Sequence, residues 1–258
     1  MSPNKKTILG VFAHPDDESM GPGATFAKYA AAGHRVAFIT ATDGGAGRLY
    51  HERPKDNTEL RAFRRQETER AARTLGIEFL GFMGWEDGRL DRVSVLDIEL
   101  EIVKTIRRFR PDVLVTFHGS GISHHADHRV IALALAGAFY GSGREGWYGA
   151  HDVGLPPPHQ PSKLYHYTVM ESVIAAVDWP REIYASPDDE VTTVIDTRDT
   201  ADIKWAAIRD HETQLGGPPF EILYQSGAFE REAFVRVFPS RSRGEAVETD
   251  LLAGLDAR

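Results

Sequence analysis

The chain has 258 residues, of which 41% are hydrophobic and 26% are charged, enough apolar material for a sizeable core. Its formal net charge of −8 argues against nonspecific binding to nucleic acid or to an anionic membrane surface. It contains no cysteine, which excludes disulfides, thiolate metal sites and cysteine nucleophiles. The first apolar run is too short for a signal peptide, and no stretch approaches the length of a membrane span. We therefore expect a cytoplasmic location.

The first half of the chain alternates short apolar runs with helical patterns. Strands that alternate with helices predict right-handed βαβ crossovers and a mostly parallel sheet. We therefore predict an α/β, Rossmann-like fold in which helices flank the sheet, with an irregular C-terminal part. The predicted strands of this half cover residues 7–12, 35–40, 77–82 and 112–117, and the predicted helices cover 23–32, 59–75, 95–109 and 126–139.

The second half of the chain is less regular. Residues 141–162 hold many glycines and prolines, which predicts a long ordered loop or lid rather than a domain linker. We expect the polar stretch after Ser240 to be disordered. Further strands are predicted at 164–169, 191–195 and Phe234–Phe238, and a further helix at 200–214.

A dense group of charges follows the first strand, in the sequence Ala13-His14-Pro15-Asp16-Asp17-Glu18. In an open α/β sheet, ligands bind beyond the carboxyl ends of the strands. Three neighbouring carboxylates repel one another unless a cation shares the site, and a divalent metal is the simplest candidate. The alternative is a polar turn followed by an acidic helix start, which the helix dipole favours.

A second polar cluster follows the strand at 112–117 and contains four of the eleven histidines, His118, His124, His125 and His128. A single histidine is more often an ordinary surface or core residue. Two clusters at strand ends of one sheet are a stronger signal. His14, Asp17 and one more imidazole would form a His₂-carboxylate site with a position left for water, which is the ligand set of a catalytic zinc.

These motifs resemble those of the PIG-L/LmbE-like family of zinc-dependent de-N-acetylases. The family's A-H-P-D-D-E motif is complete at Ala13–Glu18, and its H-P-D-H motif occurs as His125-Ala126-Asp127-His128, with Ala126 in place of proline. The resemblance spans about residues 7–215, and we expect a single domain over residues 1–258. Other family-like features are Thr42-Asp43-Gly44, Arg64-x-x-Glu67, and Lys204 with His211-x-x-Gln214.

The resemblance implies a role for each residue of the two motifs. His14, Asp17 and His128 would bind the metal, which we expect to be Zn²⁺, although such a ligand set also accepts other divalent ions such as Fe²⁺. Asp16 would be the general base. His125 would be the general acid or the partner of the oxyanion, and Asp127 would orient a neighbouring histidine.

The substrate-binding residues predicted from the resemblance and from strand-end positions are Arg64, Asp87 and Asp43. Each has an ordinary alternative: a surface salt bridge for Arg64, a turn for Asp87 and a flexible loop for Asp43. We expect the group attached to the sugar to contact the loops at 44–57 and 141–162. In the second loop, Trp147 and Tyr148 would either stack on a sugar ring or anchor the loop in the core, as aromatic loop residues frequently do. We expect His124 to be exposed to solvent, and His211 and Gln214 either to reach the site or to pack beneath it.

The resulting functional prediction is metal-dependent hydrolysis of the acetamide of an N-acetylglucosamine-type conjugate. One alternative is an amidase of the same family that acts on a thiol conjugate or an antibiotic glycoside. Another is a non-catalytic sugar- or nucleotide-binding module, which is disfavoured because no G-x-G-x-x-G pattern follows the first strand. The expected partner is a small amino-sugar substrate. We expect no binding to nucleic acid or to a membrane, and the sequence is compatible with a homo-oligomer.

Overall fold

The structure, a computed structural model, describes residues 5–48, 54–177, 183–215, 220–242 and 244–255. Strands in these ranges form one seven-stranded sheet. The strands are β1 (Thr7–Phe12), β2 (Arg35–Thr42), β3 (Glu78–Trp85), β4 (Val113–Phe117), β5 (Lys163–Thr168), β6 (Thr193–Asp196) and β7 (Arg231–Phe238). Their order in the sheet is β3-β2-β1-β4-β5-β7-β6.

The helices of the described residues flank this sheet and differ greatly in length. They are α1 (Asp17–Met20), α2 (Gly23–Ala31), α3 (Asn57–Leu75), α4 (Val95–Phe109), α5 (Ala126–Ser142), α6 (Glu171–Ala175), α7 (Ala201–Asp210) and α8 (Phe220–Gln225). Local chemistry sets the ends of α3. The Asp56 carboxylate accepts the N–H groups of Thr58 and Glu59, and the helix ends at Gly76 in a left-handed conformation. No helix of these ranges combines the length and the apolar character required to cross a membrane.

The first five strands of the sheet order, from β3 to β5, run parallel, as predicted. Strand β1 lies at the centre of these five parallel strands, and its residues Ile8, Leu9 and Val11 are fully buried, which fits a strand covered on both faces. The connections run outward from β1 in one direction and from β4 in the other. The crevice between β1 and β4 is therefore the switch point where such sheets bind ligands.

The C-terminal part is more regular than predicted. Strand β7 inserts antiparallel between β5 and β6 and so extends the sheet. The predicted disorder after Ser240 is wrong for residues 244–255, because Leu251 is fully buried in the main core. The Glu248 carboxylate also accepts hydrogen bonds from Lys163 and Tyr165 of β5. Apolar burial and a paired carboxylate hold this segment against the sheet.

Candidate active site

The two histidine-containing motifs meet at the switch point of the sheet. His14 follows β1, Asp17 begins α1, and His128 lies in the first turn of α5, just beyond β4. Strands β1 and β4 pair directly, so residues that follow them are neighbours in space although more than 100 positions separate them. The Phe117 ring stacks on the His128 ring and fixes its plane.

Three ligand-type side chains converge at this point. The Nδ1 atom of His14 lies 3.1 Å from Nε2 of His128. The Asp17 carboxylate completes the group, with Oδ1 3.3 Å from His128 Nε2 and Oδ2 3.7 Å from His14 Nδ1. Two backbone N–H groups, those of Ala13 and His14, donate to Asp17 Oδ2 and hold the carboxylate in place.

The remaining ring nitrogens show which protonation state this arrangement requires. His14 Nε2 lies 3.0 Å from Asp87 Oδ1 and 3.2 Å from Asp127 Oδ2, and ionised carboxylates only accept, so Nε2 carries a proton. His128 Nδ1 lies 3.0 Å from the Gly121 carbonyl oxygen and carries a proton for the same reason. In the neutral rings, His14 Nδ1 and His128 Nε2 therefore present lone pairs to each other and to Asp17. This donor set fits a divalent cation.

The electrostatics of the group agree with that fit. Burial lowers the pKa of His14, but hydrogen bonds to Asp127 and Asp87 and the charge of Asp17 outweigh it and raise the pKa to about 10. Burial raises the pKa of Asp17, but the charges of His128 and His14 and the hydrogen bonds that both residues make to the carboxylate together outweigh burial, and the net shift is downward. Without a metal, His14 therefore holds protons on both ring nitrogens at neutral pH, because the carboxylates of Asp17, Asp87 and Asp127 give the site excess negative charge. A metal cation would neutralise the same charge in place of the Nδ1 proton and leave the ring neutral.

Two further sets of three side chains lie close enough to share an ion, with ligand atoms within 4.8 Å of one another. The first consists of His14, Asp87 and Asp127, and the second of His14, His125 and His128. The carboxylates of the first set already accept backbone N–H groups, from Ala46 for Asp87 and from Gly88 and Leu90 for Asp127. Their contacts with the protonated Nε2 of His14 are those of groups that orient a metal ligand.

Asp16 lies beside the proposed metal ligands, but its carboxylate is hydrogen-bonded to Arg64 rather than to any of them. Its Oδ2 atom lies 2.9 Å from Arg64 Nη2, and its side chain is 15% exposed. Burial raises the pKa of Asp16, the Arg64 guanidinium lowers it and the Asp17 charge raises it, with a net value of about 6. A carboxylate poised near neutrality, outside the converging ligand group, has the properties of a general base.

His125 precedes α5, and its exposed ring lies at the edge of the ligand group. Its Nδ1 atom accepts the backbone N–H of Asp127 at 3.2 Å, which places the ring proton on Nε2. Burial lowers the pKa of His125, and the neighbouring His14 and His128 lower it further. A neutral His125 with its proton on Nε2 is a hydrogen-bond donor rather than an imidazolium.

The three predicted substrate-binding residues differ in accessibility. The Arg64 guanidinium donates to Asp16, Pro15 O and Gly44 O, and the residue is only 3% exposed. Gly44 has a left-handed backbone, and a Cβ there would collide with this guanidinium. Asp87 is also buried, and its carboxylate accepts hydrogen bonds from the Ala46 N–H and from His14 Nε2. The Asp43 carboxylate is 19% exposed.

A family model described as "PIG-L: GlcNAc-PI de-N-acetylase" matches residues 9–139, a range that contains both motifs. The chain belongs to the PIG-L family. This match confirms the resemblance found in the motifs. A PIG-L-type relative, the 1D-myo-inositol 2-acetamido-2-deoxy-alpha-D-glucopyranoside deacetylase of Thermomonospora curvata, is 33% identical to this chain over 99% of both proteins.

Solved structures confirm the fold of this PIG-L protein. The N,N'-diacetylchitobiose deacetylase from Pyrococcus horikoshii aligns with a TM-score of 0.70 and 23% identity, over 91% of this chain and 84% of that one. GalB, the 4-carboxy-2-hydroxymuconate hydratase from Pseudomonas putida, aligns with a TM-score of 0.66 and 19% identity, over 93% of this chain and 100% of that one. Because these two proteins are named for different reactions, the fold alone does not determine function.

One predicted substrate loop of the PIG-L protein lies far from the site. Helix α5 begins at the site and carries the chain away over about 25 Å, so residues 141–162 lie near the amino end of β4. There His159 Nε2 bonds the Pro111 carbonyl oxygen at 2.7 Å. Tyr148 is buried and its hydroxyl bonds Glu99 at 2.6 Å. The prediction that this loop is a lid, or stacks on the sugar through Trp147 and Tyr148, is therefore wrong. For Tyr148 the alternative holds, because its ring belongs to the main core.

The sequence prediction also missed a segment that does lie near the site. Residues 183–191 follow the carboxyl end of β5, and the Tyr184 N–H donates to the Ile122 carbonyl oxygen. The Tyr184 ring stacks on His118, with ring centroids 4.6 Å apart. The strand-end rule that located the motifs would have identified this segment once β5 was recognised as parallel. Of the other predicted substrate loop, 44–57, residues 49–53 lie outside the described residues.

The two remaining histidines of uncertain role occupy opposite environments. His124 is exposed, as expected, and has a left-handed backbone. His211 is fully buried beneath the first motif, where Nε2 lies 2.7 Å from Glu18 Oε1. The geometry therefore favours the expectation that His211 packs beneath the site.

Proposed function

We propose that this PIG-L family protein hydrolyses the acetamide of an N-acetylglucosamine-type conjugate and releases acetate and a free amine. The observation that carries the proposal is the convergence of His14 Nδ1, His128 Nε2 and the Asp17 carboxylate beside Asp16, a carboxylate bonded elsewhere. The full-length similarity to a deacetylase of an inositol-linked 2-acetamido-2-deoxy-glucopyranoside supports the substrate class.

We propose that His14, Asp17 and His128 hold a Zn²⁺ ion, with other divalent ions such as Fe²⁺ as substitutes. When bound, such an ion lowers the pKa of water and polarises an amide carbonyl. Asp87 and Asp127 both accept from His14 Nε2 and keep Nδ1 directed at the ligand group.

The proton-transfer roles follow from the environments of two side chains. Asp16 accepts the proton of the attacking water, since its pKa of about 6 leaves it ionised at neutral pH. His125 donates a hydrogen bond from Nε2 to the developing oxyanion, because its Nδ1 atom is engaged by the Asp127 N–H. Asp43 is the most accessible of the three predicted substrate-binding residues, since its carboxylate is 19% exposed and pairs only with the exposed Arg61 and Arg65, whereas Arg64 and Asp87 are buried.

We further propose that the chain acts as one domain, because a single sheet joins strands from Thr7 to Phe238. We also propose a cytoplasmic location and a small amino-sugar substrate.

The proposed function is tested on protein purified without chelator, by measuring metal content and amine release. The substrates are N-acetylglucosaminyl-inositol, N,N'-diacetylchitobiose and an N-acylated thiol conjugate. We expect bound zinc, amine release from an N-acetylglucosamine-type substrate, loss of activity with chelator and recovery with Zn²⁺. Failure to bind any divalent ion would contradict the proposal, and release from the thiol conjugate alone would favour the alternative amidase.

A further inference from the structure

We propose that Glu18 and His211 form a positioning pair that holds Asp16 in the orientation it needs for proton transfer. The inference rests on the proposed function, because it takes Asp16 as the base. Neither residue of the pair bonds a proposed metal ligand through its side chain in the described part of the chain, so their conspicuous burial needs another explanation.

The backbone of Asp16 is strained. Its φ of 98° and ψ of −25° lie in the left-handed region, which disfavours a residue that has a Cβ atom. Such a conformation persists only where the surroundings over-determine it. Contacts on both sides of the Asp16 peptide must therefore supply the constraint.

Glu18 supplies one of these contacts and is itself fully buried. Its Oε2 atom accepts the backbone N–H of Asp16 at 3.2 Å. Its Oε1 atom accepts from the Ser19 hydroxyl and faces His211 Nε2, both at 2.7 Å. Both carboxylate oxygens of Glu18 are thus engaged, one by the Asp16 backbone and the other by the side chains of Ser19 and His211.

His211 anchors Glu18 from a distant part of the sequence. It follows α7, and Thr213 in the same turn is fixed by Glu67 of α3, which accepts from the Thr213 N–H at 2.8 Å and from its hydroxyl at 2.7 Å. His211 therefore cannot shift without disturbing α3. A buried carboxylate such as Glu18 requires this kind of partner.

Helix α3 also carries Arg64, which binds the other side of the catalytic residue. Arg64 Nη2 lies 2.9 Å from Asp16 Oδ2, while Glu18 binds the Asp16 N–H. One helix thus anchors the side chain directly and, through Thr213, His211 and Glu18, the backbone. Loss of the second anchor releases the left-handed conformation and moves the carboxylate.

The test uses two matched pairs of variants in the metal-loaded protein. Glu18→Ala removes the acceptor of the Asp16 N–H, whereas Glu18→Gln retains an amide oxygen. His211→Leu removes the donor to Glu18, whereas His211→Gln retains a donor of similar reach. Tyr165→Phe is the control, because it removes a partly buried hydrogen bond to Glu248, a residue of the C-terminal segment rather than of the site.

We expect Glu18→Ala and His211→Leu to lower kcat about 100-fold, the loss typical of a displacement near 1 Å, with KM and zinc content little changed. Each glutamine variant should recover most of kcat. Tyr165→Phe should lower the unfolding midpoint and leave kcat unchanged. If the Glu18 and His211 variants lose stability but keep kcat, the pair is merely structural and the inference is overturned.

Crystal structures of the same variants provide a readout that needs no activity. Glu18→Ala should move Asp16 out of the left-handed region and break its contact with Arg64, while Glu18→Gln should retain both. An unchanged Asp16 in Glu18→Ala would overturn the inference. If the wild-type protein releases no amine from any substrate, the proposed function fails, and these structures still decide whether the pair positions Asp16.

Discussion

Replacement of Asp16 by asparagine separates the proposed base from the proposed ligands. Asparagine has nearly the same shape and keeps an oxygen for Arg64, so the local structure should be retained. With a pKa of about 6, Asp16 is roughly ten-to-one ionised at pH 7 and able to accept a proton, whereas an amide is not. General-base catalysis contributes about 10²–10⁴-fold, which corresponds to about 2.7–5.4 kcal/mol of barrier.

We therefore expect Asp16→Asn to lower kcat by about 10²–10⁴-fold with unchanged zinc content. The assay combines initial rates of amine release with metal analysis of the same preparation. Asp91→Asn is the matched control, because it makes the same chemical change at an exposed position and should leave kcat unaltered. Loss of the metal in Asp16→Asn, or activity within tenfold of wild type, would refute the assignment of Asp16 as an uncoordinated base.

Three further predictions concern ligation, pH dependence and stability. Asp17→Asn should abolish zinc binding, whereas His125→Ala should retain zinc and lose kcat; the reverse result by metal analysis would make His125 the ligand. Asp16 must be ionised to act as the base, and its pKa is raised to about 6, so kcat/KM should fall as the pH decreases through about 6. A value of kcat/KM that stays constant down to pH 4.5 would contradict this prediction. Lys204→Met removes the ammonium that lies 2.6 Å from the buried Glu232 carboxylate, so the free energy of unfolding measured in urea should fall by about 3–5 kcal/mol. An unchanged unfolding midpoint would show that this ion pair does not stabilise the protein.

The sequence predicted the parallel half of the fold well because strand alternation and glycine helix ends are local signals. The strand-end rule then brought His14 and His128 together correctly, since β1 and β4 are neighbours. The strand-end rule does not predict which side chains from distant parts of the sequence form contacts. The Glu18–His211 contact joins residues 193 positions apart, and no periodicity encodes it.

The errors at the C-terminal side have an equally physical origin. The length of α5 carries residues 141–162 to the end of the sheet opposite the site. The glycine and proline content of a loop does not show at which end of a sheet the loop lies. The tail after Ser240 is polar overall, yet its buried Leu251 and its Glu248 partners tie it to the sheet. A few specific contacts outweighed the average composition.

We propose that His14 Nδ1, Asp17 and His128 Nε2 together hold one divalent ion. Anomalous diffraction at the zinc edge, on crystals of the zinc-loaded protein, tests it most directly. We predict a single strong peak between these three side chains, with Asp16 uncoordinated. A peak on the other side of the His14 ring, between Nε2, Asp87 and Asp127, would contradict this assignment of the metal ligands.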